Sequence, residues 1–251
     1  MVKPFARKRR PPVTAAGGPT SALRSVLATG ARLLQSSDPL RGFDVYVVGF
    51  HCAKGEPGSQ MEAHHYCKVV NDDLLQCVLF DGNTGDANLV GVEYIVSAHL
   101  FGTLPERERP YWHPHNFEVL SGQLIAPGLP RIAEKELMRL LMNSYGKTWH
   151  TWHTGRHDGE PAAALPVDEP KLMWSFNREG ECSPELSRHR DRAMRLDTAS
   201  RAAHRRSLLP MAHPQRGVDE MAGQFTGTRP VPGVVDERTA EPGRRATENP
   251  G

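Results

Sequence analysis

A chain of 251 residues can hold one domain of roughly 150–200 residues with tails, or two small domains. Its formal charge of +2 and pI near 8.4 are too mild for a nucleic-acid footprint, and no apolar run approaches the ~20 residues needed to span a bilayer. Cys52, Cys67, Cys77 and Cys182 are irregularly spaced and contain no C-x-x-C pair, which argues against a disulfide scaffold and favours reduced thiols in a cytoplasmic setting.

The first 37 residues contain no Asp or Glu but carry Lys3, Arg7, Lys8, Arg9, Arg10, Arg24 and Arg32. Residues 1–20 read as a disordered basic arm, a composition that an organellar presequence would share. Ser21 can cap a short helix over residues 21–35, in which Leu23, Val26, Leu27, Leu33 and Leu34 make a partial apolar stripe. After Asp38-Pro39, residues 43–50 read as a strand from their β-branched and aromatic content. Residues 64–70 and 74–80 form an expected hairpin about Asn71-Asp72-Asp73. A three-residue loop there makes Cys67 face Cys77, His65 face Leu79 and Val69 face Leu75, whereas a two-residue loop would undo that register.

Further strands are expected at residues 89–96, at 119–125 with a break at Ser121-Gly122, and at 172–176. Residues 131–145 give the clearest helix, with Ala133, Leu137, Leu140, Leu141 and Ser144 on one stripe and Gly146 as its C-cap. Ser183-Pro184-Glu185 begins another, rich in arginine (Arg188, Arg190, Arg192, Arg195, Arg201, Arg205, Arg206). Residues 211–251 read as a disordered tail. The pattern predicts an α+β fold: a single domain at residues 21–210, core about 40–180, with a largely antiparallel sheet, one main packed helix and a C-terminal Arg-rich helix.

Nine of the twelve histidines lie between His51 and His157, and imidazole, thiol and carboxylate are the groups that bind transition metals or move protons near neutral pH. Strand alternation puts His65 with Cys67 on one face and His64 with Tyr66 on the other. His113 and His115 share a face in the same way, with Glu118 close by. His64, His65, Cys67, His113, His115 and Glu118 are therefore the candidate ligands for a divalent transition metal, zinc or iron. His65, Glu118 and His150 are the candidate proton carriers, and His51, His153 and His157 with Asp158 are weaker additions. Any one histidine is more often a hydrogen-bonded core residue; the crowding is what points to a site.

The His113-x-His115 pair has the look of half a cupin metal motif, but only two residues separate His115 from Glu118 and no second half follows. Gly146-Lys147-Thr148 is no phosphate loop, because the glycine required five residues earlier is Leu141. A nucleophile elbow of the form G-x-S-x-G is absent from the sequence. The Arg-rich helix reads first as a solvated face, and second as a foothold on anionic phospholipid at ~1 kcal/mol per basic residue.

Several blocks in one order resemble the oil body-associated protein family, found in plant seeds and also in fungi and bacteria. They are Met61-Glu62-Ala63-His64-His65-Tyr66-Cys67, Gln76-Cys77, Gly91-Val92-Glu93-Tyr94-Ile95, Leu104-Pro105 and Trp112-His113-Pro114-His115. Glu118-Val119, Ser121-Gly122, Tyr145-Gly146-Lys147-Thr148-Trp149-His150 and Pro170-Lys171-Leu172-Met173 complete the set. The likeness covers roughly residues 20–210, and the chain reads as a bacterial or fungal-type member, with His153 where the family leads us to expect glutamine. It implies peripheral association with a lipid-droplet or membrane surface, but no established reaction and no accepted catalytic residues. The expectation is thus a peripheral lipid-surface protein with a histidine-rich site; the alternative is a metal-dependent enzyme acting on a small apolar or lipid-derived substrate.

Overall fold

The computed structural model describes residues 7–154 and 163–240. Strands β1 (Val45–Ala53) and β2 (Glu56–Asn71) run antiparallel, and β2 turns into β3 (Leu74–Phe80) with Cys67↔Cys77, His65↔Leu79 and Val69↔Leu75 as partners. That is the register expected of a three-residue loop, although Asn71 pairs with Leu74 across the two-residue turn Asp72-Asp73 and an irregularity between Val69 and Asn71 restores the register. β4 (Leu89–Val96) pairs with β3 on one side and with β6 (Tyr145–His150) on the other. β7 (Lys171–Trp174) lies between β6 and β1 and closes the ring, while the two-residue β5 (His113–Pro114) extends along β6. The antiparallel sheet of the expected α+β domain is therefore a closed six-stranded barrel.

A barrel this narrow is filled by its own side chains. Val47, Met61, Ala63, Cys67, Cys77, Leu79, Ile95 and Met173 form one buried apolar cluster on the inner face. Cys67 and Cys77, directly opposite in the register, form a disulfide, whereas Cys52 and Cys182 are free and buried. The expectation of reduced thiols is corrected for the first pair: facing positions on neighbouring strands bring the two sulfurs into bonding reach.

Several other elements differ from expectation. A short helix, α2 (Ala98–Gly102), follows β4, and the strand expected at residues 119–125 is the end of α3 (Asn116–Leu120) followed by a loop, in which Ile125 makes a single bridge to Val48. The Asn116 amide donates to Gln215 Oε1 at 3.0 Å, fixing the helix start, and Gly122 (φ 76°) reverses the chain. The helix α4 (Arg131–Leu141) stops short of Tyr145, and its inner face is Glu134, Met138 and Leu141, with Leu140 exposed. Its exit uses Asn143 (φ 63°) rather than Gly146, which lies inside β6. Asn143 Nδ2 donates to Met211 O, and Oδ1 accepts from the His213 amide, both at 2.8 Å.

The Arg-rich region is two helices, α5 (Pro184–Met194) and α6 (Thr198–Arg205), broken at Arg195 (φ 53°). A solvated face describes it only in part: Arg188, Arg192, Arg195 and Arg206 are exposed, but Arg190 and Arg205 are fully buried. Arg205 pairs with Glu134 and donates to Val119 O and Leu124 O at 2.8 Å each. Arg190 donates to Gln123 O, pairs with Asp191 and lies 4.4 Å over the Phe50 ring. Of residues 211–251, expected as a disordered tail, those up to Ala240 pack back on the barrel, and residues 241–251 lie outside the described residues. Gln215 Nε2 donates to Ser144 O at 2.9 Å, and Val218, Met221 and Val234 bury against Trp174 and Phe176. Helix α1 (Ala22–Leu34), capped by Ser21 as expected, buries none of its side chains. No helix among the described residues is long and apolar enough to cross a membrane.

Removing one partner of a buried ion pair strands the other charge. Glu134→Gln is expected to cost about 3–5 kcal/mol in urea unfolding, whereas Arg139→Gln, which breaks the exposed pair with Glu136, should change stability by less than about 0.5 kcal/mol.

Candidate metal centre

Strand alternation and barrel closure turn a set of polar side chains toward one another: His51 from β1, His65 from β2, Glu93 from β4, His113 from β5 and His150 from β6. His115 follows β5, and Glu118 reaches in from α3. All seven are at most 3 % exposed.

Glu93 is their hub. Its Oε2 accepts from His65 Nε2 at 2.9 Å, while Oε1 stands 3.4 Å from both His113 Nε2 and His115 Nε2, which are themselves 3.2 Å apart. Ligand atoms at ~2.0–2.1 Å around a tetrahedral ion lie about 3.3–3.4 Å from one another, so this near-equilateral triangle has a metal's dimensions. Two imidazoles and a carboxylate are donors suited to zinc or non-haem iron. His51, His65 and Glu93 form a second donor group that overlaps the first at Glu93.

Two neighbours keep the triangle open and correctly protonated. A Cβ on Gly146 would collide with Glu93 Oε1 and come within 2.6 and 2.7 Å of His115 Nε2 and His113 Nε2. The Ser144 hydroxyl donates to Leu141 O at 2.7 Å and therefore accepts from His115 Nδ1 at 2.8 Å. Assigning the network this way leaves His115 Nε2 as a lone pair facing Glu93 and His113. Only the Nε2–H of His113 then remains to serve two acceptors, and the 3.4 Å contacts fall short of hydrogen-bond geometry. Glu93 Oε1 and the Nδ1 atoms of His51, His65 and His113 have no hydrogen-bond partner among the described residues.

The electrostatics divide the carboxyl groups. Burial opposes ionisation of Glu93, but the charge of His65 and the contact with His113 outweigh it and hold the carboxyl well below its usual range. Glu118 goes the other way: burial, then the negative charge of Glu93, push it well above that range and favour the neutral acid. Burial, reinforced by neighbouring histidines, holds His51 well below the ordinary imidazole value, and burial lowers His113 as well despite its contact with Glu93. Neutral imidazole is the form that ligates metals.

Of the residues singled out from sequence, His65, His113 and His115 come together, with Glu118 Oε2 at 3.9 Å from His115 Nε2. His150 is inside the barrel, with its ring centroid 5.7 Å from that of His51, and its Nδ1 contacts the Met61 sulfur. His64 and Cys67 need correction. His64 faces outward from β2, where it is held by Tyr46 Oη at 2.7 Å and Glu62 Oε1 at 2.9 Å, and Cys67 is consumed by the disulfide. His153 is buried apart from both donor groups, and His157 with Asp158 lies outside the described residues. Glu93 was missed, although a carboxylate in step with Gly91 and Ile95 on the buried face of an apolar strand was a legible anomaly. A groove of about 650 Å³ between α3 and α6 is lined by Phe117, Leu120 and Ala202 and by none of the donors, so it does not open onto them.

Below the ordinary value of 6.5, the unfolded chain protonates His51 and His113 while the folded chain resists. More protons bound to the unfolded state means that stability falls as pH drops through this range, with Glu93 adding to the loss below 4.5. His51→Phe is expected to flatten the slope of unfolding free energy between about pH 6.5 and 5. Gly146→Ala should destabilise the fold by about 2 kcal/mol or more. Gly102→Ala, with open space around it, should stay within about 0.5 kcal/mol when both variants are compared by urea unfolding.

Residues 37–209 match the family model described as Protein of unknown function (DUF1264). Oil body-associated protein 1A of Zea mays is 36% identical over 206 residues, covering 82% of this chain and 83% of that protein. Oil body-associated protein 2B of Arabidopsis thaliana is 38% identical over 186 residues, 73% of each chain, and protein 1B of the same plant is 32% identical over 206 residues, 82% of each. No solved structure matches. These relatives are plant proteins and do not bear out the expectation of a bacterial or fungal-type member. Shared sequence over this much of both partners' length places the chain in the DUF1264 family, to which it belongs together with the oil body-associated proteins.

Proposed function

We propose that this protein binds a divalent transition metal, zinc or iron, through Glu93, His113 and His115. The observation that carries the proposal is the triangle of their donor atoms, with edges of 3.2–3.4 Å around the space that Gly146 leaves open. A bound ion would polarise a carbonyl or lower the pKa of a water molecule. The surrounding side chains fit that task. His65 holds the second oxygen of Glu93, Ser144 fixes the tautomer of His115, and Glu118, favoured as the neutral acid beside His115, can hold or release a proton. This supports a metal-dependent enzyme acting on a small apolar or lipid-derived substrate. Protein purified without a His-tag should carry about one zinc or iron per chain by elemental analysis. His113→Ala and His115→Ala should lose it, while His64→Ala, on the outer face, should keep it. Metal-free wild type, or occupancy indifferent to both site variants, would end the proposal.

A second reading concerns location, and the relatives' names favour it. A chain matching oil body-associated proteins over about four-fifths of its length is itself placed, on this reading, at a lipid-droplet surface on the cytoplasmic side. With no membrane-crossing helix among the described residues, the attachment is peripheral. The arginines of residues 188–206 suit this role less than expected, since Arg190 and Arg205 are buried. Co-flotation of the purified protein with phospholipid-coated triacylglycerol droplets is the expected result, and protein left entirely in the load fraction would refute it.

A further inference from the structure

We infer that α1 (Ala22–Leu34) is the element that enters an anionic phospholipid surface; the inference rests on the lipid-surface reading and names the part of the chain that would perform it. α1 has thirteen residues and none is buried; Leu33 and Leu34 are 78% and 88% exposed, and Leu23, Val26 and Leu27 are exposed with them. At 3.6 residues per turn these five side chains fall within an arc of about 120°, completed by Gly30. Arg24, Ser25, Thr29 and Arg32 fall on the other side.

A leucine strip of this kind normally faces a core. Here the flanking segments hold the helix beside the barrel while leaving it unpacked. Ahead of it, Arg9 grips Glu62 through Nε and Nη2 at 3.2 and 3.1 Å, its amide donates to Asn83 Oδ1 at 2.6 Å and its carbonyl accepts from the Asn83 amide at 2.8 Å; Ala16 N then donates to Ala164 O at 2.8 Å. Gly82 belongs to the same docking site, since a Cβ there would strike the Arg9 carbonyl. Beyond the helix, the chain re-enters the barrel at Val45. The strip is therefore presented between two anchored points.

Charge selects the occupant. No Asp or Glu precedes Asp38, and α1 carries two exposed arginines, Arg24 and Arg32, with no acidic residue. Their long stems let the guanidinium groups reach phosphates while the leucines sink below them. An acid-free amphipathic helix complements an anionic phospholipid layer. A second copy of this chain would set the same positive charges against one another. α5 and α6 offer no rival strip, because their buried residues, Arg190, Met194 and Arg205, face the protein. A helix of thirteen residues is marginal by itself, so the contact is shallow and depends on lipid composition.

The test is flotation of the full chain with vesicles of phosphatidylcholine alone and of phosphatidylcholine mixed with phosphatidylserine. Wild type should float with the mixed vesicles and stay behind with the neutral ones. The double variant Leu27→Asp, Leu34→Asp should not float, and Arg24→Gln with Arg32→Gln should weaken binding by about fivefold per charge. Melting temperature should be unchanged in both, because neither pair is packed against the fold. If wild type floats and the Leu27→Asp, Leu34→Asp variant floats equally, α1 is not the contact element, although the lipid reading stands. If wild type floats on neither these vesicles nor coated droplets, the lipid reading fails and this inference with it. Equal binding to neutral vesicles would overturn the anionic preference. A dimer in solution dissolved by the Leu27→Asp, Leu34→Asp variant, without any vesicle binding, would make the occupant a second copy and overturn the inference.

Discussion

An ionised carboxylate enclosed by protein costs several kcal/mol unless neighbouring groups replace the water it has lost. Glu93 is such a group, and the inner wall of the barrel is arranged around it. His65 meets one of its oxygens, and His113 and His115 face the other. The pairing of β4 with β6 decides whether they can, because it sets Glu93 opposite Thr148 and Ile95 opposite Gly146. A slip of one residue would turn Lys147 and Trp149 inward in place of Gly146, Thr148 and His150, and the triangle would be blocked. The register of the closing strands and the charge of a single side chain are thus one constraint.

Buried ions outside the barrel position the helices in the same way. Arg205 satisfies Glu134 on α4 and the carbonyls of Val119 and Leu124 at once, and Arg190 does the same for Asp191 and Gln123. Pairs of this kind add less to net stability than an apolar contact of equal volume. They discriminate well, however, because a shift of α5 or α6 would carry both guanidinium groups away from these acceptors. The loop after α3 is pinned by those carbonyl contacts, and the pinning keeps Glu118 directed at the wall of β1.

Sequence made the strands legible where side chains alternate. The hairpin register followed from one loop length, and β4 followed from its β-branched content. Legibility failed where tertiary contacts override local preference. Val119 and Ile125 are good strand formers, yet Asn116 and Gln215 recruit the first of them into a helix end. Gly146 resembles a helix stop, but its lack of a side chain serves three donor atoms contributed by residues up to 53 positions away. Most of the candidate site could be named from the clustering of histidines. Its centre was missed, because the carboxylate belongs to an earlier strand than the histidine pair it serves and only its place on the buried face of that strand marked it. The buried arginines were also hidden, since an Arg-rich helix looks the same in sequence whether its charges meet water or carbonyls.

Enclosure of the donors carries a consequence for how an ion could ever arrive. With Glu93, His113 and His115 at most 3 % accessible among the described residues, a hydrated cation has to shed its water and pass between packed side chains to reach them. Capture would have to accompany chain collapse, or wait for a strand to peel away. At equilibrium such ligands favour copper over every other first-row divalent ion. A centre that exchanges its ion slowly would depart from that ranking, and its content would then record which ions were within reach when the chain folded rather than which bind most tightly.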